Sequence, residues 1–189
     1  MRHPGIQFDY PSWVTRMLDW ERRYESDEDK MRLAIAVARR NVLEDTGGPF
    51  GAAIFEQADG RLVSVGMNVV VPQNNCILHG EIVAFMMAQA RLGSYRLAGP
   101  DMPAHELATS CDPCAMCLGA TLWSGVRRVI CGAQREDAEQ MQFDEGPVFP
   151  ESYAYLERRG IEFKKGVCRK EAADVLDLYV RRNGIVYNG

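Results

Sequence analysis

Four side chains able to bind or activate a metal ion occur in two short stretches of the chain. His79 and Glu81 lie in "ILHGEIVAF", and Cys114 and Cys117 lie in "TSCDPCAMCLGA". Two cysteines separated by two residues can reach one tetrahedral metal ion, and a histidine completes a three-ligand zinc site that keeps an open position. A carboxylate inside an apolar run is costly to bury without a partner. A zinc ion would be the electropositive partner that Glu81 needs.

The spacing of these residues is typical of hydrolytic deamination. Zinc lowers the pKa of a bound water to about 7, and a carboxylate beside it can take the proton and return it to a leaving amine. His-x-Glu followed by Pro-Cys-x-x-Cys is the pattern of zinc-dependent nucleobase deaminases. We therefore expect one Zn²⁺ per chain on His79, Cys114 and Cys117, with Glu81 catalytic. A closed structural site that also uses Cys111 stays open as an alternative.

Two predicted helices position these ligands. His79 precedes the amphipathic segment "GEIVAFMMAQARLG", and Pro113 at a first helical position would place both cysteines on the first turns of the next helix. Helix N-termini carry positive partial charge and favour thiolates. Around these helices the pattern predicts a helix capped by Ser26, the hairpin "FGAAIFE" and "RLVSVGMNVV", three later strands and a final helix. This order predicts a three-layer α/β/α domain around a central mixed five-stranded sheet.

Composition limits the function classes. The chain has 189 residues, 47% hydrophobic content, a net charge of −4 and a pI near 5.5, so we expect no stable nucleic acid partner. No run approaches the ~18 apolar residues of a membrane span, and the start lacks a signal-peptide pattern, so we expect a cytoplasmic protein with reduced cysteines. We divide the chain into an N-terminal extension, residues 1–25, and a deaminase domain, residues 26–189.

At these motifs the chain resembles the cytidine deaminase-like superfamily, and more closely its bacterial guanine deaminases. The stretches "GGPFGAAIF", "GMNVVV", "LHGEIVAF", "TSCDPCAMCLGATLWSGV", "MQFDEGP" and "NGIVYN" carry the resemblance. The resemblance implies the deaminase fold, a homodimer, the zinc ligands named above and Glu81 as proton shuttle. It further implies substrate-binding roles for Asn68, Phe50, Trp123 and Asp144, and a contact with the base and a proton-shuttling role for Glu145.

Residue types alone leave these further roles open. Phe50 and Trp123 could be plain core residues, Asn68 a turn residue, and Asp144 and Glu145 part of a solvated loop.

Three features refine the expected site. The chain has Gly80 where alanine is common, and its missing methyl is predicted to enlarge the pocket floor, so we count Gly80 as substrate-binding. Glu145 stands where many guanine deaminases have a second aspartate, and its longer arm could reach the base or face solvent. By the same resemblance the tail "NGIVYNG" should cover an active site through Tyr187, and we expect the partner's site in a homodimer.

The predicted activity is deamination of a free purine base, with guanine converted to xanthine and ammonia as part of purine catabolism. The alternatives are another small amine (cytosine, a nucleoside, a pterin or an aminotriazine such as ammeline), a tRNA adenosine deaminase, or a non-catalytic zinc module.

Overall fold

Five strands form one mixed sheet in the computed structural model of the chain, which describes residues 7–187. They are β1 (Gly51–Glu56), β2 (Leu62–Met67), β3 (His105–Cys111), β4 (Arg128–Ala133) and β5 (Glu162–Lys164). Their order in the sheet is β2-β1-β3-β4-β5. β1 pairs antiparallel with β2 and β3, whereas β3, β4 and β5 run parallel. The predicted mixed five-stranded sheet is confirmed.

Helices cover both faces of this sheet. They are α1 (Ser12–Met17), α2 (Asp27–Leu43), α3 (Val70–Gln73), α4 (Gly80–Leu92), α5 (Ala115–Ser124), α6 (Arg135–Gln140), α7 (Pro150–Arg158) and α8 (Arg169–Arg181). Alternate strand residues enter two separate apolar cores, because successive side chains of a strand point to opposite faces. Ala53 and Phe55 join the core beneath α2 and α8, and Ala52 and Ile54 join the core beneath α4 and α5. The layers are therefore α/β/α, as predicted.

The first two helices end at turns of the chain. α1 ends at Met17, and α2, which begins after the predicted cap Ser26, ends at Leu43 because Asp45 turns the chain with a φ of 53°. The short helices α3, α6 and α7 were not predicted; they have four, six and nine residues, so each offers few turns in which a helical period can be recognised. Cys114 is the N-cap of α5, one residue before the helix proper.

The described part of the N-terminal segment, residues 7–25, packs on the main core. Trp13 and Val14 are fully buried, and the Tyr10 hydroxyl donates a hydrogen bond of 2.8 Å to the carbonyl of Val65 on β2. Within residues 7–187, none of the helices has the length and apolar character needed to cross a bilayer.

A buried ionic network connects α2 to the amino ends of β3 and β4. Lys30 donates to Glu106 at 2.6 Å, and Arg128 binds both carboxylate oxygens of Asp27 at 2.5 and 2.8 Å. The network fixes α2 at one end of the sheet. The carboxyl end of β3, which leads to Cys114, lies at the other end.

Candidate active site

His79, Cys114 and Cys117 converge where the amino ends of α4 and α5 meet. His79 and Cys114 are the N-caps of these helices, and Cys117 lies in the first turn of α5. Their donor atoms all lie within 4.8 Å of one another. His79 Nδ1 and Cys114 Sγ are 3.5 Å apart, which matches the edge of a tetrahedron built on zinc–nitrogen and zinc–sulfur bonds, about 3.5 Å. The donor set and its spacing fit a zinc ion.

The charges at this group favour metal binding. A hydrogen bond from Cys117, aided by His79, lowers the pKa of Cys114 to about 4. Cys114 is therefore ready as a thiolate, the form that binds metals. The same hydrogen bond, followed by burial, raises the pKa of Cys117 well above its usual value. The two thiols thus share a proton that a metal ion would displace.

Glu81 lies beside the metal group on the first turn of α4. Its side chain is buried, and it lines the cavity into which the ligands point. Burial, together with the Cys114 thiolate, raises its pKa above that of a free glutamate. A carboxyl group with a raised pKa next to a metal site is suited to accept and return a proton.

Cys111 lies outside the metal group found among the described residues, which contains only His79, Cys114 and Cys117. Its sulfur is 3.9 Å from the carbonyl of Gln134, and burial raises the pKa of the thiol well above its usual value. The geometry favours the open three-ligand site over a closed four-ligand one.

The ligands face a cavity of about 280 Å³. Its side chains are Phe50, Val70, Cys76, His79, Glu81, Cys111, Asp112, Cys114, Met116, Phe143, Asp144, Glu145 and Tyr187. Phe50 contacts Phe143 edge to face with ring centroids 5.0 Å apart, and Phe143 contacts Tyr187 at 5.7 Å. The aromatic walls fit a flat, planar ligand.

Phe143, Met116 and Val70 were missed as cavity residues by sequence reasoning. Each lies next to a motif: Phe143 precedes Asp144, and Met116 lies between the two cysteines. Their nearness in sequence to those motifs is the signal that could have identified them as cavity residues.

The structure brings Glu145 into the cavity and leaves Asp144 at its exposed edge. Glu145 is 8% exposed, and burial, together with the charges of Cys114 and Glu81, raises its pKa to about 8. Asp144 accepts a hydrogen bond of 2.8 Å from the Gly146 amide, which shapes the turn. The Glu145 carbonyl in turn accepts the Ala115 amide at 3.0 Å, so this loop is fastened to the start of α5.

Asn68 is fully buried behind the cavity lining. Its side-chain oxygen accepts from the Val70 amide at 3.3 Å, while its Nδ2 has no partner among residues 7–187. A Cβ on Gly48 would lie 3.0 Å from Asn68 Oδ1 and 3.3 Å from the Tyr187 hydroxyl, which also lacks a partner in the described chain. Gly48 therefore lies between the side chains of Asn68 and Tyr187, each of which carries one buried polar atom without a partner in residues 7–187. Unpaired buried donors are rare and point to a ligand.

Two residues predicted to bind substrate, Trp123 and Gly80, lie outside the cavity lining. Trp123 is 81% exposed and outside the cavity, because α5 turns Leu118 and Thr121 inward and leaves position 123 on its outer face. Gly80 does not line the cavity either: a Cβ there would meet the carbonyl oxygen of Phe50 at 3.2 Å. Its missing methyl gives room to strand β1 and does not enlarge the pocket floor. Neither residue lines the cavity of a single chain, and a contact of either with the substrate stays a prediction.

The tail covers the site of its own chain in this single-chain structure, and its placement over a partner's site in a homodimer stays a prediction. Tyr187 lines the cavity, with its ring centroid 6.2 Å from that of His79. Asn183 turns the chain back with a φ of 57°. Gly184 then packs directly on the ring of Tyr179, whose hydroxyl donates to the Ile185 carbonyl at 2.8 Å.

Comparison with known proteins assigns the family. The family described as "Cytidine and deoxycytidylate deaminase zinc-binding region" matches residues 24–133. The chain belongs to this family. It is also 35% identical over 136 residues to the guanine deaminase of Bacillus subtilis, covering 72% of this chain and 83% of that protein.

Two solved structures are similar over nearly the whole chain. The guanine deaminase from Nitrosomonas europaea has a TM-score of 0.89 at 37% identity, covering 95% of this chain and 98% of that one. The protein NE0047 in complex with 2,6-diaminopurine has a TM-score of 0.90 at 39% identity, covering 96% of each chain. As a member of the deaminase family, the chain binds one zinc ion and is a hydrolase of C–N bonds in cyclic amidines.

Proposed function

We propose that this protein is a zinc-dependent guanine deaminase that converts guanine and water to xanthine and ammonia. The observation that carries the proposal is the position of the buried acid Glu145 in a small aromatic cavity that also contains the metal group and Glu81. Guanine presents N–H donors on its ring edge, and a carboxyl group is the side chain that accepts them. The relatives named guanine deaminase support the same substrate.

The base would lie between aromatic side chains and polar groups at its edge. Phe50 and Phe143 provide the apolar walls, and Asn68 Nδ2 is a free donor for a ring acceptor. Glu145, with a pKa of about 8, is mostly protonated at neutral pH and can both donate to and accept from the base. Hydrogen bonds from the base to Glu145 would hold the amine-bearing carbon near Glu81, which lines the same cavity.

The reaction adds water across one carbon of the ring. Bound zinc would supply the Lewis acid that makes a water molecule nucleophilic at neutral pH. Glu81 removes a proton from the attacking water while its oxygen bonds to the carbon that carries the amine. Glu81 then delivers the proton to the departing nitrogen, the C–N bond breaks, and ammonia leaves. Glu145 is placed to move a second proton at the ring edge.

A nucleic-acid substrate is less compatible with the site. The cavity is small, the tail covers it through Tyr187, and the chain has a net charge of −4. Enzymes that hold single strands use a positively charged groove with stacking aromatics. A free base needs neither.

The test is a substrate panel with ammonia detection. Guanine should be turned over fastest among guanine, cytosine, adenine, cytidine, guanosine and an aminotriazine. Glu145→Ala should lower turnover of guanine while zinc content stays at one per chain, and Glu151→Gln, on exposed α7, is the matched control. A pyrimidine or nucleoside leading the panel would overturn the substrate assignment and leave the reaction class in place.

The proposal includes a homodimer. Trp123 is 81% exposed and Tyr155 is 46% exposed, and an apolar groove between α5 and α7 lies beside them. A second copy of the chain would remove these side chains from water. Sedimentation of the wild type and of Trp123→Ser should show a dimer that the substitution weakens, whereas a monomeric wild type would contradict the dimer.

A further inference from the structure

A chain of buried hydrogen bonds runs from the N-terminal segment to the backbone of Asn68. The Trp13 indole donates to Thr46 Oγ1 at 3.0 Å, and Thr46 Oγ1 donates to Asn41 Oδ1 at 2.8 Å. Asn41 Nδ2 then donates to the carbonyls of Gly48 and Asn68, both at 2.8 Å. Asn41 is fully buried on α2, and Trp13 is 2% exposed on α1. This series of hydrogen bonds therefore joins four separate segments of the polypeptide through polar side chains.

The two carbonyls fix the orientation of the Asn41 side-chain amide. A carbonyl oxygen can only accept, so Asn41 presents its NH₂ group to Gly48 and Asn68 and its Oδ1 to the Thr46 hydroxyl. An indole N–H can only donate, so Trp13 donates to Thr46, whose proton lies 2.8 Å from Asn41 Oδ1 and 3.3 Å from the Asn41 backbone carbonyl, measured between oxygens. Trp13 and Thr46 therefore hold the Asn41 side chain at the end opposite the two carbonyls.

Every polar group of Asn68 except one is fixed by a hydrogen bond within the chain. Its amide donates to the Phe50 carbonyl at 2.9 Å, and its carbonyl accepts from the Gly48 amide at 3.0 Å as well as from Asn41. Its Oδ1 accepts from the Val70 amide. The only group of this residue left without a partner in the described chain is Nδ2. A side chain held in this way loses little further freedom on binding a ligand.

The surrounding backbone leaves no room for another arrangement. A Cβ on Gly47 would collide with the Asn68 carbonyl and lie 2.7 Å from Asn41 Nδ2. Glycine at this position thus allows the loop to approach the junction at which Asn41, Gly48 and Asn68 meet. The loop that carries Phe50 is held by the same junction, since Asn41 also binds the Gly48 carbonyl.

We propose that Asn41, Thr46 and Trp13 are positioning residues that aim the free amide of Asn68 at the purine base. This inference rests on the proposed function, in which Asn68 contacts the substrate. It gives the N-terminal segment a role in base recognition that lies outside the zinc group.

The test is a double-mutant cycle on steady-state kinetics with guanine, using the zinc-loaded full-length enzyme. Thr46→Val keeps the shape of the side chain and removes its hydrogen bonds, whereas Trp13→Phe removes the indole N–H together with one ring of a buried side chain. Each should raise KM about two- to tenfold, the range for one neutral hydrogen bond, and leave kcat within about twofold. Asn41→Asp, which loses both donors, should raise KM about tenfold or more. In an Asn68→Ala background each effect on KM should disappear, because the backbone is kept and the aimed side chain is gone.

A matched control separates positioning from stability. Tyr10→Phe removes a different hydrogen bond between the N-terminal segment and the domain, from the Tyr10 hydroxyl to the Val65 carbonyl. The series of hydrogen bonds from Trp13 to Asn68 is left intact. Tyr10→Phe should lower the melting temperature as Trp13→Phe does and leave KM unchanged. Equal KM effects in wild-type and Asn68→Ala backgrounds, or an unchanged KM in all three positioning variants, would overturn the inference.

A readout without substrate keeps the inference distinct from the proposed function. The side-chain NH₂ resonances of Asn68, assigned by their loss in Asn68→Ala, should shift in Trp13→Phe and Thr46→Val but not in Tyr10→Phe. Such shifts in an enzyme inactive on guanine would support the positioning chain and contradict guanine as substrate. Unchanged resonances would overturn the positioning chain whatever the substrate.

Discussion

The closed position of the tail depends on one glycine, and Gly184→Ala tests it directly. A Cβ at this position would overlap the Tyr179 ring, so the backbone after Asn183 has to move. That movement would break two stabilising contacts, the Tyr179–Ile185 hydrogen bond and the contact between Phe143 and Tyr187, and would carry Tyr187 away from His79. Cys114 and Cys117, both on α5, take no part in it.

The expected size follows from those two contacts. A neutral hydrogen bond contributes about 0.5–1.5 kcal/mol, and an aromatic pair contributes about as much beyond its burial. Together they favour the closed tail by about 1–3 kcal/mol, which is roughly 5- to 150-fold in population. Closing the cavity excludes water and strengthens the electrostatic interactions inside. We therefore expect kcat/KM on guanine to fall by about fivefold or more.

The assay compares Gly184→Ala with two further variants. Truncation after Asn183 should show a similar or larger loss of kcat/KM, with zinc content unchanged at one per chain. Gly99→Ala is the matched control, because a Cβ there meets its nearest atom at 3.8 Å. Wild-type kcat/KM in Gly184→Ala, or an equal loss in Gly99→Ala, would refute the role of the tail.

Three further predictions concern the metal group and the stability of the fold. Glu81→Gln should fold and keep its zinc yet lose turnover by about 10²–10⁴, and near-normal turnover would remove Glu81 from the reaction. Cys111→Ser should keep one zinc per chain by metal analysis, whereas stoichiometric loss would favour a closed four-ligand site. Hydrogen bonds from Arg128 lower the pKa of the Asp27 carboxyl group in the folded chain. The ionised carboxylate therefore stabilises the fold above the unfolded pKa of about 3.9, and this stabilisation is lost as the pH falls below that value. Asp27→Asn should therefore be about 2 kcal/mol less stable than wild type in urea at pH 7, with the gap narrowing below pH ~4; a pH-independent gap would contradict this.

The metal group was predictable from sequence because local spacing determines it. Cys114 and Cys117 are three positions apart at the start of α5, and His79 is the N-cap of α4. The local sequence therefore places each ligand at the start of a helix, independently of how the helices pack on the sheet. The strands were predictable for a similar reason, since their apolar runs and the intervening turn are local. The fold class followed from the order of these elements.

The surroundings of the metal group were less predictable because distant packing decides them. Trp123 shares a helix with Cys117, and only the placement of α5 against the sheet shows that it faces outward. Gly80 was assigned to the pocket floor, but strand β1 occupies the space beside it. The position of Tyr187 depends on how Gly184 meets Tyr179, a contact within the fold that no sequence motif records.

Part of the cavity is built by residues outside the region that the deaminase family matches. That region, residues 24–133, contains His79, Glu81, both cysteine ligands and the cavity residue Phe50. Phe143, Glu145 and Tyr187 follow the region and line the same cavity. A shared core can therefore supply the metal and the proton transfer while the flanking segments shape the pocket. Substrate choice in this chain should then change through residues outside the zinc motif, whereas loss of the motif should abolish every activity equally.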